Sequence, residues 1–392
     1  MLKSTVKMLK KKYNCLFFID IVPNHTSFDS AWLLECPDAA YNTRNTPSLT
    51  CQYLFDEAIQ QLSLKIAKGE CRDFPEPYIK TESDVNKIMH ILTSKMIPER
   101  RIPEYFLFNI GKVMEELRKY LRKSAPDVKI PDQSIDYDED GSNLTADEAI
   151  TMIFPLLEKY QKNLGASLYG ATLEFKPICD YMIKHAPKIS YEAVQIALKR
   201  LNTKNEEMAR GYINEGLAAV RGCLLHERVY TGNHKITESS PMLAPYFNVL
   251  KDGTICANNG WLYVHDISED FTACNHFHYL RRHICIWSDI IRLRYGNSKA
   301  DCPTLWRRFK KHVQLMADVF DGFRIDNSHS TPVHFFEYII RKARKVNPSL
   351  YVFAEFFSES IETDSHYQKR IGFNALIREV MRVNSFLIFE IY

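Results

Sequence analysis

The chain has 392 residues, 45% of them hydrophobic, which is enough for a real core in one large domain or in two to three ordinary ones. Its 51 basic and 48 acidic residues leave a formal charge of +3 and are mixed along the sequence, without the basic stripe that nucleic-acid binding needs, so no nucleic acid is expected as a partner. The longest apolar runs, Cys15 to Ile19 and Phe386 to Phe389, fall far short of the roughly 20 residues that span a bilayer. The Lys-rich start, Met1 to Lys12, passes into a strand-like run with no cleavage-type ending, which argues against a signal peptide. Ten cysteines are scattered singly with no CxxC pair, so neither a zinc site nor a disulfide framework is expected, and they read as reduced thiols of a cytoplasmic protein. The 21 Tyr and 23 Phe would suit stacking on sugar rings, and equally well an aromatic core.

Ser4 to Lys12 reads as the end of a helix, followed by a turn at Tyr13-Asn14 and the continuous apolar run Cys15 to Ile19. Such a run marks a strand buried on both faces of a parallel sheet. It ends abruptly in the polar residues Asp20, Asn24 and His25. A unit of the same kind comes late in the chain: a helical pattern from Trp306 to Ala317, a strand-like run from Val319 to Ile325, a helix from Val333 to Val346 stopped by Asn347-Pro348, and a strand from Leu350 to Ala354. Strand, helix, strand in this order implies a parallel sheet with right-handed crossovers.

Between the two pieces, residues 27–302 read as a large, mainly helical insertion with irregular segments. Glu82 to Lys95, Pro103 to Lys123, Ala146 to Leu164 and Tyr191 to Leu224 are its better helices, and the sparse glycine, 14 residues against roughly 7% in an average protein, agrees with them. Thr145 to Glu148 matches a capping box, and the acidic stretch Pro126 to Ser142 reads as a loop or hinge.

Acidic residues at the ends of buried parallel strands matter because side chains there leave the packed core and face a shared cavity. Asp326 follows Gly322-Phe323-Arg324-Ile325, and positions 324 and 326 of a strand point to the same side. A guanidinium beside it favours the ionised carboxylate that a nucleophile requires, although an ordinary ion pair at a strand end would look the same. Glu355 ends the next strand and precedes Phe356-Phe357, so its carboxyl is expected among aromatic rings that disfavour its charge, as a general acid needs. Two carboxylates on adjacent strand ends can stand about 5 Å apart, the retaining arrangement.

Three motifs in order, Asp20-Ile-Val-Pro-Asn-His25, Asp321-Gly-Phe-Arg-Ile-Asp326 and Ala354-Glu-Phe356, each at a strand end, resemble the first three conserved regions of the α-amylase clan. The strings Asp326-Asn-Ser-His-Ser-Thr-Pro332, Leu293-Arg-Tyr-Gly-Asn297, Asn259-Gly-Trp261, Tyr279-Leu-Arg-Arg282 and His226-Glu-Arg228 narrow the resemblance to the glucanotransferase part of eukaryotic glycogen debranching enzymes, from about Ser4 to Ser385. The resemblance implies transfer of short α-1,4-glucan segments by a retaining double displacement, with glycogen and branched malto-oligosaccharides as partners and no metal or organic cofactor. It makes Asp326 the nucleophile and Glu355 the acid/base, lets Arg324 orient Asp326 and Asp20 hold Arg324, and puts His25 on the reacting sugar and His329 near the acceptor side. Trp261, Trp287, Trp306 and Tyr279 are then candidate stacking platforms. The sequons at Asn24 and Asn143 read as chance matches in a cytoplasmic chain.

The expected fold is α/β: a partial (β/α)8 TIM-type barrel contributing strands 3 to 5 of the barrel. Its pieces are residues 1–26 and 303–385, with the insertion at 27–302 and a divergent tail at 386–392. A complete barrel needs eight strands and about 250 residues outside insertions. The fourth conserved region, with its His-Asp pair and third carboxylate, has no counterpart, so the chain alone is expected to be inactive. The competing readings are an α-amylase-type hydrolase, against which the long helical insertion argues, and a non-catalytic glycogen-associated interaction protein, against which the intact carboxylates argue.

Overall fold

The computed structural model describes residues 2–133, 146–186, 188–232, 234–262, 270–356 and 361–377. The strands among them are β1 (Phe18–Ile21), β2 (His25–Ser27), β3 (Gln161–Lys162), β4 (Thr172–Leu173), β5 (Phe247–Val249), β6 (Ile255–Leu262), β7 (Ile284–Arg292), β8 (Gly322–Ile325), β9 (Tyr351–Glu355) and β10 (Ala375–Ile377). The fold is mixed α/β and includes a parallel sheet. Two compact units share the chain, one drawn from Met1–Asn45, Tyr246–Cys274 and His283–Tyr392, the other from Thr46–Pro245 and Asn275–Arg282. The expected insertion at 27–302 is thus divided between the two.

In the first unit a sheet of order β1-β8-β9-β10 is parallel throughout. The crossover helices are Pro303–Ala317, with proline at its first turn where no amide hydrogen is needed, Val333–Arg344 and Ile361–Ile371. One face of the sheet carries Phe323, Ile325, Val352 and Ala354, all fully buried against Phe335, Phe336 and Ile339 of the middle helix. Tyr295 stacks on Phe335 with ring centroids 3.6 Å apart, and Trp306 stands edge-on to Phe335 at 5.0 Å. Each such side chain, fully buried, contributes about 1.5–3 kcal/mol of apolar transfer. Gly322 is required by close approach: a Cβ there would lie 2.2 Å from the Phe18 ring and 2.6 Å from the Tyr351 carbonyl oxygen.

Three sequence expectations change here. The strand expected at Cys15 to Ile19 lies later, at Phe18–Ile21; Leu16 is 71% exposed, and within β1 Phe18 and Asp20 are exposed while Ile21 is buried, so its apolar run is not covered on both faces. The strand expected from Val319 begins at Gly322, because Val319 and Phe320 turn back onto Met316. The parallel strands number four among the described residues rather than three: β10 pairs with β9, and its three residues after the positive-φ Gly372 are too few to form an apolar run legible in the sequence.

The same unit holds a second, antiparallel sheet of order β2-β7-β6-β5. Within the stretch 27–302, expected to be mainly helical with irregular segments, residues 247–262 and 284–292 are largely extended. β6 reads Ile-Cys-Ala-Asn-Asn-Gly-Trp-Leu, and Asn and Gly are depleted in strands, so propensity argued against it. Tertiary burial overrides that propensity, for Asn258 and Asn259 have no exposed surface.

Among the described residues, the regular structure of the second unit is helical apart from the β3-β4 ribbon. Its helix Tyr191–Leu224 has the bounds expected from periodicity, and Ser190 caps it by accepting from the Ala193 amide at 3.0 Å, a contribution of about 1 kcal/mol. Thr81 and Asp84 form a reciprocal capping box on Glu82–Ile91. The capping box read at Thr145, the sequon at Asn143 and the tail at 386–392 lie outside the described residues. Leu49–Ala67 and Phe175–Lys184 are helices the sequence reading did not single out. No helix among the described residues is long and apolar enough to cross a membrane.

Candidate active site

The parallel register sets the site. Asp20 pairs with Arg324 and Arg324 with Phe353, while Ile21, Ile325 and Ala354 form the next row. Asp326 and Glu355 follow directly, so the two carboxylates emerge side by side where the strands end, and the Asp326 amide donates to the Ile21 carbonyl at 3.0 Å. Strand alternation turns Ile325 and Ala354 into the core and sends Arg324, Asp326 and Glu355 to the opposite face.

Arg324 binds both carboxylates. Its Nη1 donates to Asp326 Oδ1 at 2.7 Å and its Nη2 to Glu355 Oε1 at 2.8 Å, with Asp20 Oδ2 3.5 Å from Nη1. Burial opposes charge on the guanidinium, but Glu355, Asp326 and Asp20 outweigh it and hold its pKa above the ordinary value. Asn327, in the left-handed region at φ 46°, reverses the chain after Asp326. Asparagine tolerates that conformation, and the turn lets its amide donate to Glu355 Oε2 at 3.0 Å and its Nδ2 to Asp326 Oδ2 at 2.7 Å. The Glu355 carboxyl is pushed up, by burial first and then by the charge and hydrogen bond of Asp326, against the Asn327 amide and Arg324 that favour the anion.

His25 begins β2, beside the carboxylates. Its Nδ1 lies 2.5 Å from Asn24 Oδ1 and 3.4 Å from Asn259 Nδ2. Burial lowers its pKa, Asp326 and Asp289 work the other way, and Arg292 adds to the lowering. It lines a cavity of about 810 Å³ together with Asp20, Trp32 and, from the helix Pro303–Ala317, Arg307 and His312. Asn24 Nδ2 donates to Ser330 Oγ at 3.0 Å, which donates in turn to the Asn327 carbonyl at 3.3 Å. His25 and the carboxylates are thereby linked through Asn327. An amide pair and a half-buried imidazole near Asp326 can grip hydroxyls around an atom under attack. Among the described residues no group of three or more His, Cys, Asp or Glu stands placed to hold a metal.

A family model described as glycogen debranching enzyme, glucanotransferase domain, matches residues 1–351. The chain belongs to that family. It is similar to the glycogen debranching enzyme of Saccharomyces cerevisiae, 31% identical over 395 residues that cover 97% of this chain and 25% of the yeast protein. The chain therefore spans about a quarter of the length of this curated relative.

Of the residues singled out in this glucanotransferase-family sequence, the structure brings Asp20, Arg324, Asp326 and Glu355 into one ionic group and sets His25 close enough to Asp326 to feel its charge. Asp20 is the most open of them, its side chain 62% exposed. His329 is buried in the short turn Ser328–Ser330 and meets Phe356, the neighbour of Glu355, edge-on at 6.3 Å. Phe357 lies outside the described residues. Two of the candidate stacking platforms are corrected: Trp306 is buried and donates its Nε1 to the Tyr295 carbonyl at 2.9 Å, and Tyr279 is buried in the second unit. Trp287 is 43% exposed.

The sequence reading assigned no role to Asn327, Ser330, Arg292 or to the side chain of Asn259. Asn327 was legible, since a polar residue after Asp326 must direct the turn. Asn259 stood in a resembling string but neither it nor Arg292 could be given a place, because their position beside His25 depends on pairing across more than two hundred residues.

Proposed function

We propose that these residues carry a retaining 4-α-glucanotransferase reaction on glycogen and branched malto-oligosaccharides, in the cytoplasm, on what is part of a (β/α)8 barrel. The observation that carries the reading is the single Arg324 guanidinium held by both carboxylates, at 2.7 and 2.8 Å. One guanidinium spanning the pair favours the retaining separation of about 5–5.5 Å over the inverting one of about 6.5–9.5 Å. The first three conserved regions of the α-amylase clan and the family match support the same roles.

Asp326 attacks the anomeric carbon while Glu355, its pKa raised by burial, delivers its proton to the departing glycosidic oxygen. The covalent glucosyl ester on Asp326 is then attacked by the 4-hydroxyl of an acceptor glucan, whose proton passes to the Glu355 carboxylate, and the enzyme returns to its first state. Arg324 donates to Asp326 Oδ1 and Asn327 Nδ2 to Asp326 Oδ2, which fixes the plane of the carboxylate and leaves a second lone pair on each oxygen for the attack. His25 and Asp20 bind sugar hydroxyls, and His329 lies toward the acceptor. Hydrolysis of the remaining α-1,6-linked glucose belongs, on the family resemblance, to another part of such proteins.

The test is covalent trapping in the full gene product. A Glu355→Gln variant given an activated α-glucosyl fluoride should accumulate a glycosyl ester on the peptide containing Asp326, detected by mass spectrometry. An unlabelled Asp326 peptide, with substrate still consumed, sinks the reading.

A further inference from the structure

Asn327 meets both carboxylates with separate donors: its main-chain amide donates to Glu355 Oε2 at 3.0 Å and its Nδ2 to Asp326 Oδ2 at 2.7 Å. Chemistry fixes both directions. A main-chain amide only donates and an ionised carboxylate only accepts, so the side-chain NH2 faces Asp326 and the side-chain carbonyl does not. The backbone at Asn327 is left-handed, φ 46° and ψ 45°, a conformation that few residues besides glycine, asparagine and aspartate adopt. It is held from both ends. The Asp326 amide is tied to the Ile21 carbonyl at 3.0 Å, and the Asn327 carbonyl accepts from the Ser330 amide at 3.2 Å, from Ser330 Oγ at 3.3 Å and from Thr331 Oγ1 at 3.4 Å.

A strained backbone that its neighbours over-determine, next to a candidate active site, points to a role for the strained residue. With both flanks tied, a residue that leaves the left-handed region rotates the peptide plane between positions 326 and 327 and turns the amide away from Glu355. Glycine would keep the turn but has no donor for Asp326. Glutamine would bring a donor but does not favour the turn. Asparagine satisfies both demands at once. We propose that Asn327 is the positioning residue for the two carboxylates: its left-handed turn aims the main-chain amide at Glu355 and favours that residue's anion, while its side-chain amide fixes the plane of Asp326.

A hydrogen bond donated to a carboxylate favours its charged form. On Glu355 the Asn327 amide therefore works with Arg324, which donates to Oε1 at 2.8 Å, and against burial and the Asp326 charge. Asp20 on β1 is the next charge, 3.5 Å from Nη1 of Arg324, and His25 on β2 stands close enough to Asp326 to feel it. Glu355 has to give up a proton and take one back at the same pH, and the turn amide shifts that balance toward giving. The inference rests on the proposed function only for the roles of the two carboxylates.

Two measurements on the full gene product test this. Infrared difference spectra of the carboxyl band, each protein minus its Glu355→Gln counterpart, follow the Glu355 proton with pH and need no glucan. Asn327→Gly keeps the turn and should leave the Glu355 midpoint near wild type. Asn327→Val, whose β-branched side chain is excluded from positive φ, should raise it. If Asn327→Val does not fold, Asn327→Ala should raise it by less. The second measurement is transfer between malto-oligosaccharides, in which Asn327→Gly should lose about tenfold or more in kcat with little change in KM, as loss of one hydrogen bond to a charged group implies. A Glu355 midpoint unchanged in folded Asn327→Val, or in Asn327→Ala where the valine variant does not fold, overturns the role of the turn. A wild-type kcat in Asn327→Gly overturns the role of the side chain. If the wild-type gene product transfers no glucan, the proposed function fails, and the infrared titration still decides this inference.

Discussion

Arg324 donates Nη2 to Glu355 Oε1 at 2.8 Å across the β8-β9 boundary, while the same guanidinium holds Asp326. Glu355 must be a proton donor in one half of the proposed reaction and an acceptor in the other, so its partner has to tolerate both states. A delocalised cation shared with a second carboxylate does so, because loss of one contact leaves the other in place.

Arg324→Lys should therefore be a severe change despite its conserved charge. An ammonium is a point donor and cannot span two carboxylates in one plane. A misplacement of this order costs about 100-fold in rate. Transfer between malto-oligosaccharides by the full gene product should fall by that factor in kcat with a smaller change in KM. A fall confined to KM would mean that Arg324 only binds substrate.

The raised Glu355 pKa also predicts a dependence of stability on pH. The folded state holds its proton more tightly than the unfolded chain does, so the site is fully tolerated below the ordinary glutamate pKa and loses stability as pH rises through the folded value. Glu355→Gln should accordingly melt at or above the wild-type temperature near neutral pH, and the advantage should disappear as pH falls below the glutamate range. Calorimetry at two pH values checks this; a variant that is less stable at neutral pH contradicts it.

In the second unit, Arg282 and Asp56 are each 4% exposed and meet at 2.9 Å. Breaking a buried ion pair by removing one partner costs about 3–5 kcal/mol. Asp56→Ala should lose that much in denaturant unfolding. The double change Asp56→Leu with Arg282→Met, which removes both charges and keeps the volume, should lose clearly less.

Gly322→Ala should destabilise the parallel sheet, since its Cβ would lie inside contact distance of both Phe18 and the Tyr351 carbonyl. Overpacking of this kind costs about 1–3 kcal/mol. Adding Phe18→Leu should recover part of the loss if the Phe18 ring is the main obstacle, and none of it if the Tyr351 backbone is.

The sequence by itself determined the helix-strand-helix-strand order from Trp306 to Glu355 and the placing of Asp326 and Glu355 at its strand ends. The reason is local: an apolar run fixes a buried strand, the helix between is periodic, and the residue after the run must leave the core. Parallel pairing of β8 with β9 then brings the carboxylates together with no further information. The long helix Tyr191–Leu224 was legible on the same ground, its period and its Ser190 cap being contained within one segment.

Only the tertiary structure decided the surroundings of His25. β6 and β7 lack a strong strand signal and owe their form to each other and to β2, so the sheet that sets Asn259 and Arg292 behind His25 exists only once residues far apart in sequence have paired. β10 is too short to be seen until β9 is there to pair with it. Side chains at strand ends announce themselves, whereas the ordinary asparagines, serine and arginine around His25 become visible only through their distances.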